Sequence, residues 1–74
     1  MTPTVTGDDR DRLTQREIEV LNLRKLGLDA TAVGEALGIS FRTAKAHTWR
    51  IGQKLEAANT THAVYLALKM GIID

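Results

Sequence analysis

The chain has no cysteine among its 74 residues. A disulfide framework, a cysteine-based zinc site and thiol catalysis are therefore excluded. It has no apolar run near the roughly 20 residues that cross a bilayer. The N-terminal segment, Met1-Thr-Pro-Thr-Val-Thr-Gly-Asp-Asp9, lacks a basic start and an apolar stretch, so no signal peptide is expected and the cytoplasm is the expected location. Length is also scarce. A single small domain of this size buries a modest core, which argues against an enzyme with a deep pocket and in favour of a partner. There is no glycine-rich phosphate loop, and no Ser–His–Asp or paired-acid arrangement surrounds Ser40, Thr43 or Thr48. His47 and His62 are the only histidines, too few for a metal site without cysteine. No catalytic residue, metal or cofactor is expected.

What is present is ordinary globular composition, 43% hydrophobic and 26% charged. The net charge of +1 points to no partner, but its distribution does. Between residues 40 and 55 lie Arg42, Lys45, Arg50 and Lys54 without an acid. A basic stripe on a nearly neutral domain suits contact with a polyanion.

Residues 1–12, with Pro3, Gly7 and charges of both signs, read as a flexible arm; residues 13–74 form the domain. Thr14-Gln-Arg-Glu17 is a capping box, flanked by a Leu13–Ile18 hydrophobic staple. From there Ile18, Val20, Leu21, Leu23 and Leu26 continue an apolar stripe, and Gly27 is placed to end the helix. Asp29 caps a second, short helix over 30–37. Gly34 costs it about 1 kcal/mol relative to alanine and offers room for another helix to approach. Gly38, Ile39 and Ser40 then separate it from a third helix over 41–55. Two helices joined by so short a glycine-containing link make a helix-turn-helix. Asn59 or Thr60 caps a fourth helix, which runs to Met70 and stops at Gly71. The expected fold class is all-α.

On a helical wheel at 100° per residue, Ala44, Thr48, Ile51 and Leu55 make the core face of the third helix. Arg42, Lys45, Ala46, Trp49, Arg50 and Gln53 fall opposite. A helix fits the major groove, where Arg and Lys donate to guanine or phosphate, Gln pairs with adenine, and Ala or Trp meets thymine methyls. Trp49 sits on the polar side between Lys45 and Gln53, where an exposed indole marks a contact. In the fourth helix Ala63, Leu66, Ala67 and Met70 share a face, and Val64, Tyr65 and Leu68 widen the apolar arc to about twice the 100° a surface helix needs. A second copy covering that arc would present two third helices ~34 Å apart.

These residues resemble the LuxR/NarL-type (GerE-like) helix-turn-helix DNA-binding domain. The resemblance runs from Leu13 to Ile73. It rests on Leu13-Thr14-Gln-Arg16-Glu17-Ile-Glu19-Val20-Leu21, Gly27, Leu37-Gly38-Ile39-Ser40, Thr43-Ala-Lys45-Ala-His47, Ile51, Lys54-Leu55, Ala63-Val64 and Gly71-Ile72-Ile73. It implies four helices, a recognition helix in the major groove, dimerisation through the last helix, and transcriptional regulation in bacteria or their phages. Arg42, Lys45, Ala46 and Trp49 are the expected base contacts. Thr43, His47, Arg50 and Lys54 are the expected backbone contacts, and Val64, Tyr65 and Leu68 the expected dimer interface. The chain departs from the pattern at Ala44, Trp49, Arg50, Glu56 and Thr60, and in the second helix, where a basic phosphate contact is missing. The expectation is a stand-alone homodimeric regulator of double-stranded DNA, with RNA polymerase or a larger regulator as a further partner. The alternative is a module that heterodimerises through residues 60–70 with a larger regulator. The fourth helix and His47 argue against a resemblance to a sigma-factor promoter-binding region.

Overall fold

A computed structural model describes residues 13–74; the arm expected at 1–12 lies outside them. The described residues form four helices and no strand: α1 (Gln15–Arg24), α2 (Ala30–Leu37), α3 (Phe41–Leu55) and α4 (Thr60–Lys69). None is long and apolar enough to cross a membrane.

Each helix begins where a side chain can take up a free backbone N–H. In the Thr14–Glu17 box, the Thr14 hydroxyl accepts from the Glu17 N–H at 3.1 Å while Glu17 Oε1 accepts from the Thr14 N–H at 2.9 Å. Asp29 accepts from the Ala32 N–H at 3.0 Å, Ser40 from the Thr43 N–H at 3.0 Å and Asn59 from the His62 N–H at 2.8 Å. Such caps contribute about 1 kcal/mol each. His62 adds a further closure to the α3–α4 loop, its Nδ1 accepting from the Ala58 N–H at 2.9 Å.

Two of the helices end on a left-handed residue. Gly38 closes α2 in the left-handed region at φ +70°, a conformation that glycine enters without penalty. α3 ends on Glu56 at φ +56°, a left-handed residue with a side chain. α1 stops at Arg24, so the apolar stripe expected to include Leu26 ends sooner: Leu26 stands in the following turn, 68% exposed, and Leu28 packs against the core instead.

One core holds the elements together. Leu13, Val20, Leu21, Ala30, Val33, Ala44, Ile51, Leu55, Ala63, Ala67 and Ile73 are buried in it. α3 touches each of the other three helices, so the position of its outward face is set by all of them. The close approach expected at Gly34 comes from the chain's own turn rather than from another helix. The Ile39 N–H donates to the Gly34 carbonyl at 2.9 Å, and a Cβ added at Gly34 would lie 2.8 Å from the Ile39 carbonyl oxygen.

Candidate nucleic-acid interface

Burial along α3 follows the wheel. Ala44, Ile51 and Leu55 are sealed in the core. Thr48, expected with them, is half-buried, and its hydroxyl turns back to donate to the Ala44 carbonyl at 3.0 Å. On the other side Arg42, Thr43, Lys45, Trp49, Arg50 and Gln53 are exposed, and Ala46 is half-buried. The indole of Trp49 is 66% exposed. One rigid cylinder thus sets three permanent cations, an amide, a hydroxyl and a large aromatic toward solvent.

The cations are not spent on acids. Arg42, Lys45 and Arg50 have no carboxylate partner among the described residues, so their charge is available to an external anion. Lys45 Nζ lies 5.4 Å from the ring centroid of Phe41. Phe41 itself, at the first position of α3, is 53% exposed.

Two expected backbone contacts sit differently. Lys54 points inward, its ammonium 2.7 Å from Glu17 Oε1. Glu17 is 2% exposed, and a carboxylate so buried needs a counter-charge. The Lys54 ammonium thus ties α3 to α1. Burial pushes the Glu17 carboxyl pKa up, but the Lys54 ammonium and the Thr14 N–H outweigh it, leaving the group below the ordinary glutamate value. His47 is half-buried, with Nδ1 closed off from solvent and without a hydrogen-bond partner among the described residues.

Sequence reasoning missed the neighbours that other elements bring to this face. An open cleft of about 360 Å³ runs beside Trp49 and Lys45, and its far wall is built by Arg24 from α1 and by Asn59 and Thr60 at the start of α4. The Arg24 guanidinium donates to the Leu28 carbonyl at 3.1 Å, while its Nε is closed off and unpaired among the described residues. Its place in the last turn of α1 reads from sequence as a helix-dipole partner; only the packing of α1 across α3 brings it to the cleft.

The residues expected to pair two copies fall on the outer side of α4. Ala63 and Ala67 face the core, whereas Tyr65 is 54% and Leu68 45% exposed. Val64 is half-buried and packs against the core. Tyr65 stacks on His62 with ring centroids 6.4 Å apart, and Lys69 Nζ lies 5.8 Å from the tyrosine centroid.

The sequence pattern of the bacterial regulatory proteins of the luxR family matches residues 11–67. The chain is 46% identical over 63 residues to the transcriptional activator protein BjaR1 of Bradyrhizobium diazoefficiens, an alignment covering 85% of this chain and 26% of that protein. It is 44% identical over 64 residues to the HTH-type quorum sensing-dependent transcriptional regulator RpaR of Rhodopseudomonas palustris, covering 86% and 26%. It is 42% identical over 61 residues to the transcriptional regulatory protein YxjL of Bacillus subtilis, covering 82% and 28%. The chain spans about a quarter of the length of these relatives.

Proposed function

The chain belongs to the luxR family of bacterial regulatory proteins, and on that premise we propose that it is a sequence-specific DNA-binding transcriptional regulator. In this reading α3 lies in the major groove and α4 pairs two copies. The observation that carries it is the split of α3 into a sealed apolar face and an exposed face whose cations have no acid partner among the described residues. Arg42, Lys45, Ala46 and Trp49 read base edges; Thr43, His47 and Arg50 contact the backbone. Phosphate contacts position a protein, whereas base contacts confer its preference.

A binding-site selection with purified protein, followed by a footprint, tests this. Enrichment of one sequence is expected. With about six phosphate contacts, affinity for that sequence should fall on the order of 10³-fold between 50 and 200 mM salt. Lys45→Ala should relax base preference, and Arg50→Ala should weaken all sequences alike. No enrichment at low salt would overturn the reading.

Two observations favour a second reading, a module that heterodimerises through α4 with a larger regulator. α2 carries no basic side chain, and Tyr65 and Leu68 stand exposed on α4. It is distinguished by Leu68→Asp abolishing regulation while Lys45→Ala leaves it intact.

A further inference from the structure

We propose that Trp49 reads the C5 methyl group of thymine, so that the preferred half-site carries a thymine where the indole meets the groove and a 5-methylcytosine can replace it. The inference rests on the reading that α3 enters the major groove, and it deepens that reading by naming the chemical feature recognised.

It follows first from what α3 can hydrogen-bond. Between Glu35 and Glu56 the sequence contains no acid. Arg42, Lys45 and Arg50 only donate. Guanine offers two acceptors in the major groove and suits them, whereas the cytosine amino group is read by a carboxylate acceptor, which this face lacks. Gln53 can serve adenine through its amide. Thymine is set apart by a methyl group beside the O4 acceptor. An indole suits the methyl, on which the face of its ring packs, and this contact does not depend on the group at C4.

The second support is the exposure of the apolar surface. An indole held 66% exposed on a rigid helix, in the midst of cations, keeps apolar area in water at a cost that only a contact recovers. The neighbouring cation does not cover it. Lys45 stands over the Phe41 ring at 5.4 Å, one turn toward the helix start, and with Arg24 it also borders the open cleft beside Trp49. Ala46, half-buried on the same face, projects only a methyl. The groove floor can therefore come close to the indole over the two thirds of it that these cations leave exposed.

The test uses the purified chain and the duplex it selects. Each thymine is replaced in turn by deoxyuridine, which removes the methyl and nothing else. One buried methyl is equivalent to about a fourfold change in affinity, so one thymine per half-site should show about that loss. Trp49→Ala should be indifferent to the same replacement, and Trp49→Phe should keep part of the penalty. With 5-methylcytosine at that position, binding should be tighter than with cytosine by a similar factor. Trp49 is the sole tryptophan, so quenching of its emission on the selected duplex is expected as a direct sign of contact. If deoxyuridine is tolerated everywhere, if Trp49→Ala keeps the full penalty, or if the emission is unchanged on binding, the proposal is overturned while the regulator reading stands. If no duplex is selected at all, both fail together.

Discussion

Glu17 shows how much one side chain carries here. Its carboxylate caps α1 through the Thr14 N–H and anchors α3 through Lys54 at 2.7 Å. The first task is legible in the spacing Thr14-x-x-Glu17; the second is not, because its partner lies 37 positions away and a lysine in a basic stripe reads as a solvent-facing cation. The pairing has a pH signature. The pKa of the folded carboxyl lies below its ordinary value, despite the opposing effect of burial, because Lys54 and Thr14 favour the charged form. A depressed pKa means that the pairing supports the fold fully above the ordinary glutamate range. That support is lost as pH falls through the folded value. Glu17→Gln should lower stability at neutral pH by about 1.5–3 kcal/mol, the range for a hydrogen bond to a charged group. The gap between the urea-unfolding free energies of the two proteins should close as acid protonates Glu17. A gap that stayed constant into acid would show that the charge contributes nothing. If DNA affinity also fell in Glu17→Gln at neutral pH, the pair would be shown to set the pose of α3 as well as its stability.

At the scale of the helices the sequence is most informative at their starts, because each start is a contact between neighbours in the chain. Thr14, Asp29, Ser40 and Asn59 are caps whose partners lie three residues on. Endings and side contacts depend more on tertiary packing, which is why the periodic pattern extends to Leu26, outside the helix and exposed, and carries no sign of Arg24 at the cleft. Gly34 is an intermediate case. Its cost to α2 is visible in the sequence, but its reason is visible only in the turn, where the Ile39 carbonyl oxygen stands 2.8 Å from where a Cβ would be. In Gly34→Ala, up to about 1 kcal/mol of helix propensity is set against about 1–3 kcal/mol of overpacking. The obstacle is backbone, which cannot swing aside as a side chain can, so the second effect should win. Thermal unfolding should show a lower midpoint, by several degrees for a domain of this size. An unchanged or raised midpoint would mean that the turn yields, and that the link between α2 and α3 is looser than these distances imply.

For the whole molecule the outer face of α4 decides whether two copies pair. The breadth of the apolar arc on α4 was legible in the sequence, since side chains of both faces repeat at helical spacing. Which face is inward was decided by size: Ala63 and Ala67 let α4 lie close in the core, and the bulkier Tyr65 and Leu68 are left outside, 54% and 45% exposed. Val64 packs against the core and is the poorer probe of pairing, because a charge there would also strain the fold. Leu68→Asp is the better one. If two copies pair through this face, the wild-type chain should sediment with a mass that rises with concentration. It should also bind a duplex with two half-sites much more tightly than a duplex with one, because the second helix then engages without a second loss of translational freedom. Leu68→Asp should sediment as a monomer and bind both duplexes alike, with unchanged affinity for the single half-site. Moving the half-sites apart by about half a helical turn should remove the wild-type advantage, because the second α3 would then face the opposite side of the duplex. Were Leu68→Asp to keep both the association and the advantage, the pairing surface would have to lie elsewhere, and the exposed row on α4 would be free for a different partner.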